Sequence, residues 1–322
     1  MRILFSADHH VKLGQKGVPQ EWQKNRFIML ATRLDAVYRE HNCDLHIIGG
    51  DILDVATPST EELELMYAFL DALKDQSGLI YTGNHEMKSK TISCLFHLAD
   101  NIFNATAGNW KVITEPYRSP EFDIVDYVEL HKKKWKEPES KLCFTHVRGE
   151  IPPHVKPEID LTKFNCYHTV VAGDLHSYKN TQQIGDTKLV YPGSPLTTSF
   201  HRERTKGTNG CLIIDTDTLE IEWVELGELP QLIRKTITVD DMMEPDPYDR
   251  VIYEVEGDVT ELKNIKHSDL LDKKLNTKVT KDAKLDLADL SLLEELDLYL
   301  RDVQKLPSSV IDKLKARAAK YV

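Results

Sequence analysis

Short apolar runs alternate with amphipathic stretches through the first hundred residues of the chain. The apolar runs predict buried strands at residues 2–8, 44–49 and 78–82. The amphipathic stretches carry apolar residues at helical spacing and predict helices at residues 21–41, 58–73 and 91–100. Strands that alternate with helices in this way indicate a parallel sheet that is covered by helices.

After residue 100 the pattern changes to short apolar segments with few helical stretches between them. These segments are residues 111–114, 122–130, 141–145, 169–172, 187–191, 210–215 and 219–226. The last of them alternates apolar and polar residues, which is typical of a strand with one buried face. We therefore expect this half to form a second, mainly antiparallel sheet that packs on the first.

The pattern divides the chain into three predicted domains, residues 1–230, 231–284 and 285–322. The first boundary is expected at Gly227–Pro230, and the middle domain has a short helix at residues 259–266 and a strand at residues 274–280. Leucine-dense helices are predicted over Leu287–Tyr321, with a break at Pro307. The predicted fold class is α/β, a two-sheet sandwich with flanking helices, a small α+β domain and C-terminal helices.

The composition is that of a soluble globular protein, with 41% hydrophobic and 29% charged residues. No apolar run reaches the ~18 residues that a membrane span needs, so no membrane association is expected. The acidic residue Asp8 comes too early for a signal peptide. The five cysteines form no Cys-x-x-Cys pair, which argues against a disulfide framework or a thiolate zinc site. Reduced thiols are typical of a cytoplasmic protein.

The net charge of −11 limits what the chain is expected to bind by itself. A protein that binds nucleic acid through charge is usually basic, so tight and autonomous DNA binding is not expected. Bound cations, a local basic patch or a partner subunit would be needed. The basic run His131–Lys136 has two interpretations, a solvated hairpin tip or a patch that contacts DNA.

Polar residues with metal-binding chemistry follow several of the predicted strands. They are Asp8, His10, Asp51, Asn84, His85, His146, Asp174 and His176. The carboxyl ends of parallel strands meet at one edge of a sheet, where ligands bind in open α/β folds. The alternate spacing of Asp8 and His10 directs both side chains the same way, so His9 is expected to point elsewhere.

These residue types suit a pair of divalent cations. Two such cations about 3.5–4 Å apart can clamp a phosphate and generate hydroxide from a bridging water. Mixed imidazole and carboxylate ligation favours manganese, iron or zinc over magnesium or calcium. A shared carboxylate is needed to hold both cations, and Asp51, which follows a central predicted strand, is the natural bridge.

The order and spacing of the motifs resemble the calcineurin-like metallophosphoesterase superfamily. The matching motifs are Asp8-x-His10, Gly50-Asp51, Gly83-Asn84-His85-Glu86, His146 and Gly173-x-x-His176. Residues 50–59 and 191–200 are also similar to the SbcD nuclease subunits, which partner an SbcC-type coiled-coil ATPase in DNA break processing. The resemblance covers residues 1–230 and implies a metallophosphoesterase sandwich followed by a capping domain. The short chain suggests a compact member of the kind that bacteriophages encode.

The resemblance implies a role for each motif residue. It assigns one metal to Asp8, His10, Asp51 and His176, and a second metal to Asp51, Asn84, His146 and Asp174. It gives His85 the role of stabilising the transition state or protonating the leaving 3′ oxygen. Two manganese ions are the expected cofactors, with magnesium as the alternative metal.

Position 174 departs from the family pattern. The usual Gly-His-x-His is replaced here by Gly173-Asp174-Leu175-His176. Asp174 can ligate through an oxygen, and it would then favour harder cations such as manganese or magnesium. In the alternative, Asp174 does not reach the metal and the second site is weak.

Four basic residues are candidate DNA contacts in this acidic protein, namely Lys88, Lys90, Arg202 and Arg204. In the alternative interpretation they are ordinary surface charges. Most of the DNA affinity would then come from bound cations and from the ATPase partner.

The resemblance implies a manganese-dependent DNA exonuclease and endonuclease subunit that acts in DNA recombination, repair or replication. The C-terminal helices, residues 285–322, would dock on an SbcC-type ATPase, and the subunit would form a homodimer within a heterotetramer. The alternative for these helices is packing on their own domain. The alternative functions are a phosphatase or cyclic-nucleotide phosphodiesterase that uses the same site, and a scaffold subunit with weakened catalysis.

Overall fold

The computed structural model describes residues 1–276 and 290–320 of the chain. The strands in this part, numbered in chain order, are β1 (Arg2–Ser6), β2 (Leu45–Gly49), β3 (Gly78–Tyr81), β4 (Met87–Ser89), β5 (Ile92–Ser93), β6 (Trp110–Val112), β7 (Asp123–Val125), β8 (Leu142–His146), β9 (Thr169–Gly173), β10 (Gln182–Ile184), β11 (Thr187–Val190), β12 (Gly210–Asp215), β13 (Ile221–Glu225), β14 (Leu232–Thr238), β15 (Arg250–Gly257) and β16 (Leu271–Asn276). The α-helices are α1 (Gln20–Glu40), α2 (Thr60–Ala72), α3 (Cys94–Ala105), α4 (Tyr127–Leu130), α5 (Val259–Lys263), α6 (Leu292–Leu298) and α7 (Ser308–Ala318). Short 3₁₀ and π segments lie at Leu161–Cys166, Tyr178–Asn180 and Tyr299–Val303.

The first sheet has the strand order β13-β12-β1-β2-β3-β6. Strands β1, β2 and β3 run parallel, which confirms the prediction for the first hundred residues, and β6 continues the parallel order. The expectation that the segments 111–114, 210–215 and 219–226 belong to the second sheet is wrong, because β6, β12 and β13 join the first sheet. Strands β12 and β13 extend this sheet in the antiparallel direction. The parallel strands therefore all bring their carboxyl ends to one edge.

The second sheet has the strand order β10-β11-β9-β8-β7, and β7, β8, β9 and β11 run parallel. The expectation of a mainly antiparallel sheet is wrong, because the antiparallel pair here is β10 with β11 at one edge. The physical reason is that loops and short helical turns, rather than long helices, connect these parallel strands. Their sequence therefore lacks the helical periodicity that normally signals a crossover connection.

Apolar side chains form core layers on both faces of each sheet. The layer between the sheets includes Phe5, Tyr81 and Phe144, and the rings of Phe5 and Phe144 stack with centroids 5.4 Å apart. A second layer joins the first sheet to α1, α2 and α3, and a third covers the outer face of the second sheet. Full burial of one such side chain contributes roughly 1.5–3 kcal/mol. This packing holds the carboxyl ends of both sets of parallel strands next to each other and confirms the predicted two-sheet sandwich.

Local capping decides where two of the predicted helices begin. At α2, Ser59 Oγ accepts a hydrogen bond from the Glu62 N–H (3.2 Å), and the Glu62 carboxylate accepts one from the Ser59 N–H (2.9 Å). At α3 the helix begins at Cys94 rather than at residue 91, because residues 87–93 form the β4–β5 hairpin and Ser93 caps the helix. This hairpin places exposed residues directly after the Asn84–His85 turn.

The chain separates into two compact units. The larger unit contains Met1–Lys235, Met243–Tyr253 and Ser268–Asp272, and the smaller unit contains Thr236–Met242, Glu254–His267 and the described residues from Lys273 onward. Strands β14, β15 and β16 form a sheet in that order. The division into domains at residues 230 and 284 stays a prediction.

The smaller unit contains the helices that the leucine pattern predicts. Helix α5 is shorter than expected and ends at Lys263, where Lys274 Nζ donates to the carbonyls of Leu262 and Ile265 (2.8 Å each). Residues 277–280 of the predicted strand, as well as Leu287 and Tyr321, lie outside the described residues. Among the helices of the described part, none has the length and apolar character needed to cross a membrane.

Candidate metal centre

Polar side chains from both sheets meet where parallel strands end. The turn after β1 carries Asp8 and His10, the turn after β2 carries Asp51, the turn after β3 carries Asn84 and His85, β8 ends at His146, and the turn after β9 carries Asp174 and His176. This arrangement follows from the parallel order of the strands, which places every one of these turns at the same edge. His9 points away from it, because its ring packs on Phe69 and its Nε2 lies 3.1 Å from Ser6 Oγ.

The turns that carry these side chains have an unusual backbone conformation. Asp8, His10, Asp51 and Asp174 have positive φ angles of 58°, 50°, 52° and 97°. Such angles are uncommon for residues other than glycine and cluster at functional sites. Gly50 (φ 84°) permits the close approach of the two sheets, because a Cβ there would lie 2.6 Å from His146 Nδ1.

The Asp51 carboxylate lies at the centre of the cluster. Its Oδ2 is 3.3 Å from His146 Nε2, 3.8 Å from His10 Nε2 and 4.0 Å from His85 Nε2. Its Oδ1 accepts a hydrogen bond from the His85 N–H (2.9 Å). Asp51 Oδ2 thus lies within 4.0 Å of three imidazoles from separate segments, and its role as a bridge between two metals stays a prediction.

Two further pairs of donor atoms flank Asp51. On one side His10 Nε2 lies 3.0 Å from His176 Nε2, which is in turn 4.0 Å from Asp8 Oδ1. On the other side His146 Nε2 lies 2.9 Å from the amide oxygen of Asn84. The division of these residues into two ligand sets stays a prediction.

Three overlapping sets of side chains could each surround a metal ion, because the carboxylate and imidazole atoms within each set lie within 4.8 Å of one another. These sets are Asp8, His10 and His176; His10, Asp51 and His85; and Asp8, Asp51 and His146. Mixed nitrogen and oxygen donors of this kind suit divalent transition metals. His85 is therefore close enough to be a ligand as well as a proton donor.

The pKa shifts show that the centre favours added positive charge. Burial raises the pKa of Asp8 to about 6. Burial opposes ionisation of Asp51 as well, but the imidazoles of His146 and His10 outweigh it and hold the pKa of Asp51 below its usual range. Burial acts against the charged form of His146, and the Asp51 carboxylate reverses this and raises the pKa of His146. Two buried carboxylates that are both ionised need nearby positive charge, and divalent cations would supply it.

The side chain of Asp174 has a different neighbour. Its Oδ2 accepts from Arg148 Nε (3.1 Å) and its Oδ1 from Arg148 Nη2 (3.3 Å), while its backbone N–H donates to Asp8 Oδ1 (2.9 Å). The Asp174 side chain is 6% exposed and that of Arg148 is 46% exposed. Asp174 thus lies beside the centre with both carboxylate oxygens hydrogen-bonded to the Arg148 guanidinium, and its ligation of metal stays a prediction.

The sequence interpretation gave no role to Asp54 or Glu86, although both belong to the quoted motifs. Asp54 Oδ1 lies 3.4 Å from His10 Nδ1, and its Oδ2 lies 2.6 Å from Lys12 Nζ. The buried Glu86 carboxylate accepts from the N–H groups of Asp51, Leu53 and Gly83 at 2.9–3.1 Å. The Asp54 carboxylate therefore lies beside Nδ1 of His10, and the Glu86 carboxylate links the turns after β2 and β3.

Asp54→Asn is expected to weaken Mn²⁺ binding by about 10- to 100-fold, because a carboxylate behind an imidazole ligand fixes its orientation and raises its basicity. Titration calorimetry with Mn²⁺ measures this loss. Asp71→Asn removes an exposed carboxylate of α2 and is the matched control. Equal affinity in the two variants would show that Asp54 does not act through His10.

The segment after β11, residues 191–198, forms hydrogen bonds with the turns that carry the site residues. Ser194 Oγ lies 2.7 Å from the Asp8 carbonyl oxygen and 2.6 Å from that of Leu196, and the Tyr191 hydroxyl donates to the Val147 carbonyl (3.0 Å). His176 Nδ1 lies 3.1 Å from Thr198 Oγ1. The Tyr-Pro-Gly-Ser motif therefore holds the turns after β1 and β8 in place.

The four candidate DNA contacts differ in their surroundings. Lys88 and Lys90 are exposed on the β4–β5 hairpin, and Arg202 is also exposed. Arg204 forms an ion pair with Asp249 and donates to backbone carbonyls, including that of Gly227 (2.7 Å). These contacts within the chain give Arg204 a structural role, and a DNA contact by any of the four stays a prediction.

Comparisons with known proteins show which family the chain belongs to. Residues 1–178 match the family model for calcineurin-like phosphoesterases. The "Probable exonuclease subunit 1" of Escherichia phage T5 is 71% identical over 322 residues, which is 100% of this chain and 99% of that protein. Yfce, a phosphoesterase from E. coli, has 12% identity and a TM-score of 0.34, over 71% of this chain and 95% of its own. The Pseudomonas putida nuclease MPE has 16% identity and a TM-score of 0.32, over 68% of this chain and 87% of its own. The family match spans more than half of the sequence and confirms the predicted relationship, and the chain therefore belongs to the calcineurin-like phosphoesterase family.

Proposed function

We propose that this chain is a metal-dependent DNA nuclease subunit that hydrolyses phosphodiester bonds at the candidate metal centre. The observation that carries the proposal is the convergence of carboxylate, imidazole and amide oxygen or nitrogen atoms around Asp51. The choice of DNA as the substrate is supported by the name of the phage T5 relative, "Probable exonuclease subunit 1".

The proposed ligand sets follow the two sides of Asp51. One cation would be held by Asp8, His10, Asp51 and His176, and the other by Asp51, Asn84 and His146, with Asp174 as a further ligand if Arg148 releases it. When bound, two divalent cations activate the attacking water and offset the charge that develops on the phosphate. Mn²⁺ is the proposed metal and Mg²⁺ the alternative, because oxygen donors make up about half of the set.

Hydrogen bonds within the chain prepare two imidazoles for different tasks. His146 Nδ1 donates to the Gly49 carbonyl (2.9 Å), which leaves Nε2 to face the centre. His85 Nδ1 donates to the Asp54 carbonyl (2.6 Å), and the side chain is 39% exposed. His85 Nε2 is thus held at the rim of the centre, where it would donate a proton to the leaving 3′ oxygen.

The proposal includes a partner subunit. The relative is named as a subunit, and the motifs resemble those of SbcD, so we propose an SbcC-type ATPase that docks on the C-terminal helices. Exposed apolar side chains on and between α6 and α7 support a docking surface, for example Leu292 at 65% and Val303 at 49% exposure. A homodimer of this chain within a heterotetramer is the proposed assembly.

A nuclease assay with Mn²⁺ or Mg²⁺, with and without a co-purified ATPase, tests the proposed function. We expect cleavage of linear duplex DNA that requires metal and is faster with Mn²⁺, together with little hydrolysis of p-nitrophenyl phosphate. Hydrolysis of the monoester without DNA cleavage would instead favour a phosphatase. Unchanged activity of the complex after Asp51→Asn, together with no bound metal, would favour a scaffold subunit.

A further inference from the structure

A cleft of about 670 Å³ opens beside the candidate metal centre, on the side of Asn84. The β4–β5 hairpin lines one side of it and α4 with the residues that follow lines the other. Its lining includes Asn84, Met87, Lys90, Tyr127, His131 and Lys132. Pockets of this volume bind small organic groups the size of a nucleotide or a drug.

The charge of this cleft is opposite to that of the whole chain. Among the described residues that line it, two are lysines and none is acidic, although the chain carries a net charge of −11. A second cavity of about 290 Å³ lies on the His176 side, and its described lining consists largely of serine and threonine with no lysine or arginine. Of these two spaces, the one beside Asn84 is the one that attracts a phosphate by charge.

Two aromatic rings form part of the wall. The rings of Tyr127 and His131 meet edge to face with centroids 4.6 Å apart. The Tyr127 hydroxyl donates to Glu158, and His131 Nε2 lies 3.3 Å from Glu158 Oε1. The partly buried Glu158 carboxylate contacts the polar ends of both side chains, so it restricts the orientation of both rings before any ligand arrives.

We propose that the cleft binds one nucleotide of the DNA strand that is cut, next to the scissile phosphodiester. The base packs on Tyr127 and Met87, and a backbone phosphate lies between Lys90 and Lys132. An aromatic surface combined with lysines is the chemistry that binds single strands without reading their sequence. This inference rests on the proposed function. It assigns DNA contact to only part of the basic run 131–136, since His131 and Lys132 line the cleft while Lys133 and Lys134 do not.

Binding of a fluorescently labelled ten-nucleotide phosphorothioate single strand, which resists cleavage, tests the proposal on the full chain with Mn²⁺. Tyr127→Ala is expected to weaken binding about 5- to 150-fold through the lost stacking surface. Tyr127→Phe keeps the ring and is expected to bind within about twofold of the original chain. In Lys90→Ala/Lys132→Ala, the slope of log Kd against log salt is expected to fall by about 0.7, because the contact with one phosphate is lost.

Lys133→Ala/Lys134→Ala is the matched control, with the same change of charge in exposed residues outside the cleft. Calorimetric titration with Mn²⁺ shows whether the variants keep the metal centre. Equal strand affinity in the cleft and control variants would overturn the proposal, as would a loss of Mn²⁺ binding in the cleft variants that accounts for the loss of affinity. Strand binding as expected without any cleavage of ordinary DNA would contradict the proposed function and leave the cleft as a nucleotide site.

Discussion

Asp51→Asn is expected to lower kcat for DNA cleavage by about a thousandfold and to reduce the number of Mn²⁺ ions bound. A carboxylate between two cations would contribute several kcal/mol to binding them and to stabilising the charge of the transition state. The neutral amide of asparagine cannot bind both cations in this way. The fold should survive, because an amide oxygen can still accept the His85 N–H and the backbone N–H at residue 51 still donates to Glu86.

Steady-state cleavage of linear duplex DNA and elemental analysis of bound manganese measure the two effects together. Asp71→Asn is the control, since it removes an equal charge from an exposed position on α2. If Asp51→Asn retained both ions and the original kcat, Asp51 would not be the bridge.

His85→Ala is expected to lower kcat by about 10²- to 10⁴-fold while Mn²⁺ affinity stays the same. The reason is that a positioned general acid acts in the chemical step, whereas a ligand acts in metal binding as well. Titration calorimetry and cleavage kinetics separate the two. His97→Ala changes an exposed histidine of α3 and is the control.

The leaving group gives a second measurement for His85. Bis(p-nitrophenyl) phosphate releases a stable phenolate that needs no proton, so His85→Ala should slow its hydrolysis much less than it slows DNA cleavage. Equal losses on both substrates, or a parallel loss of Mn²⁺ affinity, would identify His85 as a metal ligand with His10 and Asp51.

The convergence of the motif residues could be predicted because it depends on a simple feature of the chain. Each of Asp8, Asp51 and Asn84 comes just after an apolar run of the first sheet, and the predicted parallel strands bring those ends together. The direction of the second sheet could not be predicted in the same way. Its connections are loops such as residues 147–168, which contain a short 3₁₀ turn and leave no helical period in the sequence.

The contacts that support the site residues could not be predicted from the motifs, for a different reason. Glu86 contacts the N–H of Asp51, which is 35 residues away in the chain, and Arg148 contacts Asp174 across 26 residues. Such partners depend on how two turns face each other, and neither spacing nor periodicity records that. The same holds for the cleft, whose two sides come from separate segments.

Two divalent cations are expected to bind, one on each side of Asp51. Crystals of the full chain grown with Mn²⁺ and measured at the manganese absorption edge test it most directly, because anomalous difference density locates each ion. We predict two peaks about 3.5–4 Å apart with the Asp51 carboxylate between them. A single peak remote from Asp51, or no peak at this edge of the sheets, would contradict this expectation.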